Sequence, residues 1–202
     1  DATSFISGDV VREAQARNAP DQRGIPVIGG LDVARLGPDF SVLCPRQGRD
    51  AQSREWPRAQ GLNTVQLSQW AFQQYMSLGL SALIVDVGGV GGGVYDQLQL
   101  MEINVYPCDF SSRPYNEGAE KYLNKRAEIW GEMRDWLAKG GCLPPDKGEE
   151  GKGLASQLTA PTYTYAQDVK LQLEAKKDIR RRLNISPDDA DALAIHFAEP
   201  WL

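Results

Sequence analysis

Hydrophobic positions fall in short unbroken runs in the first half of the chain and at helical spacing later. Residues 26–35, PVIGGLDVAR, are apolar except for Asp32 and the closing Arg35. A run of this length predicts a buried strand over 26–33. Residues 39–44 (DFSVLC) alternate well enough for a second strand, with Leu36-Gly37-Pro38-Asp39 as the turn between them. The polar stretch 47–56 supplies a third, weaker strand of an antiparallel meander. From 64 to 78 the period changes. Leu67, Trp70, Ala71 and Met76 or Leu78 share one face of an amphipathic helix that stops at Gly79. Residues 82–87 are again continuously apolar apart from Asp86, and a strand after a helix predicts a parallel crossover. GGVGGG follows, then a short helix at 94–100 and a strand at 102–106.

The longest helical pattern is 121–139, with Leu123, Ala127, Trp130, Met133 or Arg134, and Leu137 on its buried face. Residues 143–153 read as an exposed loop, 162–165 and 169–173 as a hairpin, and 174–183 as a basic helix. The last helix spans 186–198, with Ser186 as its N-cap, Pro187 at the first helical position and Ala190, Leu193, Ala194 and Phe197 as its apolar stripe. Near the start, residues 4–16 fit a short helix followed by a linker. The sum is an α/β fold: a mixed central sheet, antiparallel in its first three strands and parallel afterwards, flanked by helices. Residues 1–24 read as a segment joining something that precedes the domain, and 25–202 as the domain itself.

Composition narrows the classes. With 202 residues and 42% hydrophobic content the chain is globular, with enough length for one sizeable core. A net charge of −5 argues against a generally basic nucleic-acid binder, yet leaves room for a local basic groove, because acids clustered in a site count against the total. Cys44, Cys108 and Cys142 are odd in number and lack a CxxC pair, which points to a reducing compartment and no zinc site. No apolar run approaches the roughly 18 residues of a membrane helix. The chain opens on Asp1 without an initiator Met or a signal peptide, and reads as a fragment of something longer.

The candidate chemistry rests on three carboxylates in apolar company. Asp32 sits inside the first strand, Asp86 ends SALIVD, and Asp191 lies inside ADALAIHFA. A buried charge is costly unless paired. At the carboxyl end of a parallel strand, Asp86 is well placed for a ligand, though each acid read alone also fits a loop or helix cap. Asp188 and Asp189 fit the first turn of a helix through its dipole, and Asp188 competes with Asp191 for the third position. Three converging carboxylates stay ionised together only with a compensating cation. Oxygen ligands suit Mg²⁺ or Mn²⁺, and a pair of such ions about 4 Å apart can activate a water against a phosphodiester.

GGVGGG fails both the dinucleotide fingerprint and the P-loop. Gly88, Gly89, Gly91, Gly92 and Gly93 read instead as a flexible wall of the site, or as room for a close backbone approach. His196, the only histidine, reads as a satisfied helix residue with no part in catalysis. Lys176, Lys177, Arg180, Arg181 and Arg182 form a cationic run to which Arg113, Lys125 and Arg126 add, with Arg35 beside the first acid. This is where a phosphate backbone would lie, unless the run is simply a solvated helix face.

Taken in order, GGLDVAR, ALIVDVGGVGGGVYDQL, YLNKRAEIW and SPDDADALAIHFA resemble the nuclease domain of the large terminase subunit of tailed bacteriophages, from about residue 26 to the C-terminus. The resemblance implies an RNase H-like fold of the resolvase–integrase superfamily. It also implies a DNA endonuclease that cuts concatemeric double-stranded viral DNA with two Mg²⁺ or Mn²⁺ ions held by Asp32, Asp86 and Asp191. The opening SFISGDVVREAQAR resembles the segment joining that family's ATPase domain to its nuclease; the ATPase motor is not in this sequence. Implied partners are DNA, that ATPase domain, the small terminase subunit and the portal protein, with no membrane, in the cytoplasm of a bacterial host during phage assembly. The alternatives are a resolvase-like nuclease for branched DNA and a non-catalytic DNA- or portal-docking module.

Overall fold

A computed structural model describes residues 4–34, 36–115 and 117–199. Five strands form the central sheet: β1 (Val27–Asp32), β2 (Ser41–Gln47), β3 (Arg58–Ala59), β4 (Ala82–Asp86) and β5 (Val105–Cys108), in the order β3-β2-β1-β4-β5. β1, β2 and β3 pair antiparallel, whereas β4 and β5 run parallel to β1. The expected mixed sheet is therefore present, with β1 at its centre. The third strand lies later than expected. Residues 47–56 turn instead of extending: Gln47 and Asp50 exchange backbone hydrogen bonds across the left-handed Gly48, and the Asp50 carboxylate accepts from Gln52 N and Ser53 N. The edge pairing falls to Arg58–Ala59.

The sheet divides two cores by the alternation of its side chains. Leu31, Leu43, Leu83 and Val85 face α2 (Thr64–Ser77) and α3 (Gly91–Leu100). α2 opens with a capping box in which Asn63 and Gln66 satisfy each other's backbone donors. It buries Leu67 and Ala71 as expected, but Met76 points to solvent and Leu78 packs in its place. The opposite face of the sheet, with Ile28, Val42, Cys44 and Ile84, packs on α4 (Lys125–Ala138) and α7 (Asp188–Ala194). α4 starts four residues later than the pattern suggested because Asn124 caps it, accepting from Ala127 N at 3.0 Å. Ala127, Trp130, Met133 and Leu137 are fully buried, while Leu123, before the cap, is exposed. Burying large apolar side chains of this kind stabilises by about 1.5–3 kcal/mol each.

Three further pieces complete this face. α1 (Gly8–Ala16) buries Val11 and Ala14, and Phe5 and Ile6 before it are equally enclosed, so the segment expected to precede the domain packs into its core. α5 (Leu154–Thr159), unforeseen in the sequence, follows the exposed loop and covers α1 and α7. The predicted hairpin forms as β6 (Tyr163–Tyr165) and β7 (Leu171–Leu173), and α6 (Lys176–Leu183) leaves from it. The last helix is shorter than expected. Pro187 sits at its N-cap, Ser186 Oγ donates to Asp188 Oδ1 rather than capping, and residues Ile195–Phe197 tighten into a 3₁₀ turn.

Candidate metal centre

Asp32 is the last residue of β1 and Asp86 the last of β4. Leu31 pairs with Val85 across the parallel ladder, so the next residues of each strand are neighbours at the carboxyl end of the sheet. Side-chain alternation puts Asp32 on the face of Ile28, and Asp86 on the face of Ile84. That face carries α7. The approach is close because Gly30 has no side chain: a Cβ there would collide with the carbonyl oxygen of Ala192 on α7. Gly30 thus lets α7 bring Asp191 down onto the acids of β1 and β4.

Asp191 is fully buried and Asp32 nearly so. The ammonium of Lys176, first residue of α6, lies between them. Its Nζ is 3.0 Å from Asp32 Oδ2, 3.0 Å from Asp188 Oδ1 and 3.4 Å from Asp191 Oδ2. Behind the cluster, α4 supplies one donor and one further cation. Trp130 Nε1 donates to Asp191 Oδ1 at 2.9 Å, and Arg126 Nη2 stands 3.8 Å from the same oxygen. Asp191 Oδ2 has no hydrogen bond.

The electrostatics follow from this crowding. Burial pushes the Asp32 carboxyl well above the usual range; Lys176 opposes that shift, while Asp191, Asp188 and Asp86 add to it. Asp86 is pushed up to about 6, first by burial and then by Asp191, against the pull of Gly88 N–H, which donates to Asp86 Oδ1 at 2.9 Å. For Lys176, burial works against the charge, but Asp32, Asp191 and Asp188 outweigh it and hold the ammonium well above its ordinary value. Four carboxylates thus face two cations, Lys176 and Arg126. Among the described residues no three carboxylate, His or Cys side chains stand together as a ready-made metal cage. The chemistry of the donor set nevertheless suits a divalent ion: oxygen ligands only, more carboxylates than cations, an orphaned carboxylate oxygen, and an ammonium seated as a cation among them.

Other expected site residues fall differently. Asp188 belongs to the cluster alongside Asp191. Asp189 turns away, to Arg58 and Gln157. Lys176, expected at a DNA surface, is committed to the carboxylates. Lys125 and Arg126 are buried, the first paired with Glu128 at 2.7 Å and the second donating to Glu174 O at 2.7 Å, so neither offers a cation to solvent. Lys177, Arg180 and Arg181 are exposed on α6, although Arg180 is paired with Asp39 and Arg181 with Asp178. Arg35 lies outside the described residues. Gly88 and Gly89 form the turn after β4, but Gly91, Gly92 and Gly93 are the first turn of α3 and not a loose wall. Gly91 is required for close approach, since a Cβ would collide with the backbone oxygen of Asp86. His196 is buried with Nε2 against Cys44 O at 2.7 Å, while its Nδ1 has no hydrogen bond. The cysteines are buried and free.

Two features escaped the sequence. Trp130 was placed on the buried face of α4, but its N–H was not. The inward turn of Lys176 carried a signal, since Ile179, three residues on, is a fully buried neighbour on the same helix face.

The sheet order and the flanking helices match the RNase H-like fold of terminase nuclease domains. In particular, the chain superposes on the nuclease domain of the large terminase subunit gp2 of bacterial virus Sf6. The TM-score is 0.77 at 22% identity, covering 95% of this chain and 97% of that one. The large terminase nuclease of thermophilic phage G20c, solved with bound magnesium, matches at TM-score 0.65 and 16% identity over 98% of both chains. That of Thermus phage P74-26 matches at 0.63 and 14%, over 95% of this chain and 93% of that one. A variant of the Sf6 domain has been solved with manganese. No protein-family profile matches the sequence, nor does any curated protein.

Proposed function

We propose that this chain is a divalent-metal-dependent endodeoxyribonuclease domain that cuts concatemeric double-stranded DNA in viral genome packaging. One observation carries the reading. Asp32, Asp86, Asp188 and Asp191 converge at the carboxyl end of a parallel strand pair, with the Lys176 ammonium seated among three of them. A structural ion-pair network does not need three acids around one lysine with a fourth beside them, nor an orphaned oxygen on a fully buried one. The fold shared with the Sf6 and G20c nuclease domains, solved with manganese and magnesium, supports the same chemistry.

Asp32 and Asp86 would flank a first divalent ion and Asp191, with Asp188, would hold a second. When bound, the ions supply the positive charge and Lewis acidity that phosphodiester hydrolysis needs. The chain's own residues do the rest. β1 and β4 are rigid mounts, so Asp32 and Asp86 present their oxygens without paying for reorganisation. Lys176 keeps the cluster folded in the metal-free state and must share or leave its carboxylate contacts when the ions enter. Lys177, Arg180 and Arg181 extend the cationic surface from the site along α6 and would hold backbone phosphates without reading sequence. Residues 1–24 would connect to the ATPase domain of the full subunit. The small terminase subunit and the portal are its expected partners, in the host cytoplasm during assembly.

The absence of a ready-made metal cage among the described residues favours one second reading, a non-catalytic DNA- or portal-docking module whose lysine permanently replaces the metal. Incubation of supercoiled plasmid with Mg²⁺, Mn²⁺ or EDTA separates the two. Nicking and linearisation that require the divalent ion and vanish in Asp32→Asn support the nuclease. Metal-independent DNA binding with no cleavage supports docking. A strong preference for a four-way junction over linear duplex would move the function toward recombination.

A further inference from the structure

Asp191 divides its two oxygens between different neighbours. Oδ1 faces α4, where the Trp130 indole N–H donates to it at 2.9 Å and Arg126 Nη2 approaches to 3.8 Å. Oδ2 faces the carboxylate cluster, with Lys176 Nζ 3.4 Å away and no hydrogen bond of its own. A carboxylate on a short helix can rotate about its own axis and exchange its oxygens. Here the fixed donor behind it removes that freedom, because swapping oxygens would break the buried indole bond. Trp130 and Arg126 are one helical turn apart, and the guanidinium lies over the indole ring, 5.6 Å from its centroid, so the two side chains hold each other in place. Arg126 also donates through Nη1 to Glu174 O at 2.7 Å, two residues before Lys176. One face of α4 therefore fixes both the acid of α7 and the start of the helix that carries the lysine.

We propose that Trp130 is a positioning residue for the metal centre: through its N–H it orients Asp191 so that the unbonded Oδ2 points at the incoming divalent ion. The proposal rests on the nuclease reading above in that it takes Asp191 as a ligand. Groups behind a ligand that fix its orientation commonly alter metal affinity by about 10–100-fold when removed. An indole that merely filled space would satisfy its N–H on any nearby carbonyl. This one reaches the single fully buried aspartate of the cluster.

The test uses Mn²⁺ binding to the whole chain, measured by calorimetry well below the melting temperature of every variant, with no DNA present. Trp130→Phe removes the donor and keeps an aromatic ring. It is expected to weaken Mn²⁺ binding about tenfold or more. In an Asp191→Ala background the same substitution is expected to change Mn²⁺ affinity less than twofold, since the indole then has nothing to orient. Equal Mn²⁺ affinity in Trp130→Phe and the parent overturns the proposal, as does an equal loss in both backgrounds, which would mark a packing effect. Parent protein that binds no Mn²⁺ would sink the nuclease reading itself, a distinguishable outcome. A further measurement needs no variant to stay folded. In ¹⁵N-labelled parent, the Trp130 indole N–H resonance is expected to shift during a Mg²⁺ titration and to saturate with the resonances of the Asp32 and Asp86 backbone. An unmoved indole signal while those two titrate overturns the proposal.

Discussion

Replacing Lys176 by Ala removes the ammonium that sits among Asp32, Asp188 and Asp191, whose oxygens lie 3.0, 3.0 and 3.4 Å from its Nζ. At an effective dielectric near 20, one such contact carries about 5 kcal/mol of Coulomb attraction, most of it offset by desolvation. Deleting one partner of a fully buried pair costs about 3–5 kcal/mol. The Lys176 side chain is 35% exposed, so solvent screening reduces the expectation to about 2–3 kcal/mol. For a chain of this size that corresponds to a fall of roughly 4–12 °C in melting temperature without metal. The same change removes the competitor for the carboxylates, so Mn²⁺ should stabilise Lys176→Ala more than it stabilises the parent, by the ordinary linkage of ligand to folding. Thermal melts in EDTA and across a Mn²⁺ series measure both effects. An unchanged melting temperature in EDTA, or a Mn²⁺-induced rise no larger than that of the parent, would refute the view that lysine and metal share one electrostatic site.

Three other outcomes follow from the geometry. Gly30→Ala should destabilise the fold by about 1–3 kcal/mol or more and weaken Mn²⁺ binding, because the new Cβ meets the Ala192 carbonyl and pushes α7 outward; urea denaturation and calorimetry read the two effects. Substituting Lys177 and Arg181 together by Ala should lower the slope of log DNA affinity against log salt by about 1–2 while leaving Mn²⁺ affinity unchanged, as a filter-binding salt series would show. His196 is held far below its ordinary range, first by burial and then by Arg46, so it stays neutral when folded and gains a proton when unfolded. Its contribution is therefore complete above an unfolded pKa of about 6.5 and is lost as pH falls below it, at up to about 1.4 kcal/mol per pH unit; His196→Gln, which keeps a donor toward Cys44 O, should lose stability less steeply than the parent between pH 6.5 and 5 in urea melts.

Much of this architecture is written locally. Unbroken apolar runs gave β1 and β4, a 3.6-residue period gave α2 and α4, and acids stranded in apolar company marked Asp32, Asp86 and Asp191. What escaped depends on contacts between distant parts of the chain. Lys176 sits in a run of five basic residues whose composition reads as surface, yet its partner Asp32 is 144 positions away. The Trp130 hydrogen bond spans 61 positions, and an indole on an apolar stripe gives no sign of where its N–H points. The third strand moved to Arg58–Ala59 because Asp50 closes a side-chain turn that outweighs the weak extended tendency before it. α5 was hidden by the polar loop that precedes it, where Leu154 and Leu158 alone carry the apolar face. Gly91 read either as part of a flexible wall or as room for a close backbone approach, and the fold shows the approach, to the backbone of Asp86; Gly30 is a contact point for α7 that nothing in the sequence marked.

The most direct test of the account is a crystal of this chain soaked in Mn²⁺ and recorded at the manganese absorption edge. Anomalous density between Asp32 and Asp86, with further density against Asp191 Oδ2 and Lys176 displaced from its three carboxylates, is the predicted result. A saturating soak that leaves Lys176 Nζ seated among Asp32, Asp188 and Asp191, with no anomalous peak at the cluster, would contradict the central claim.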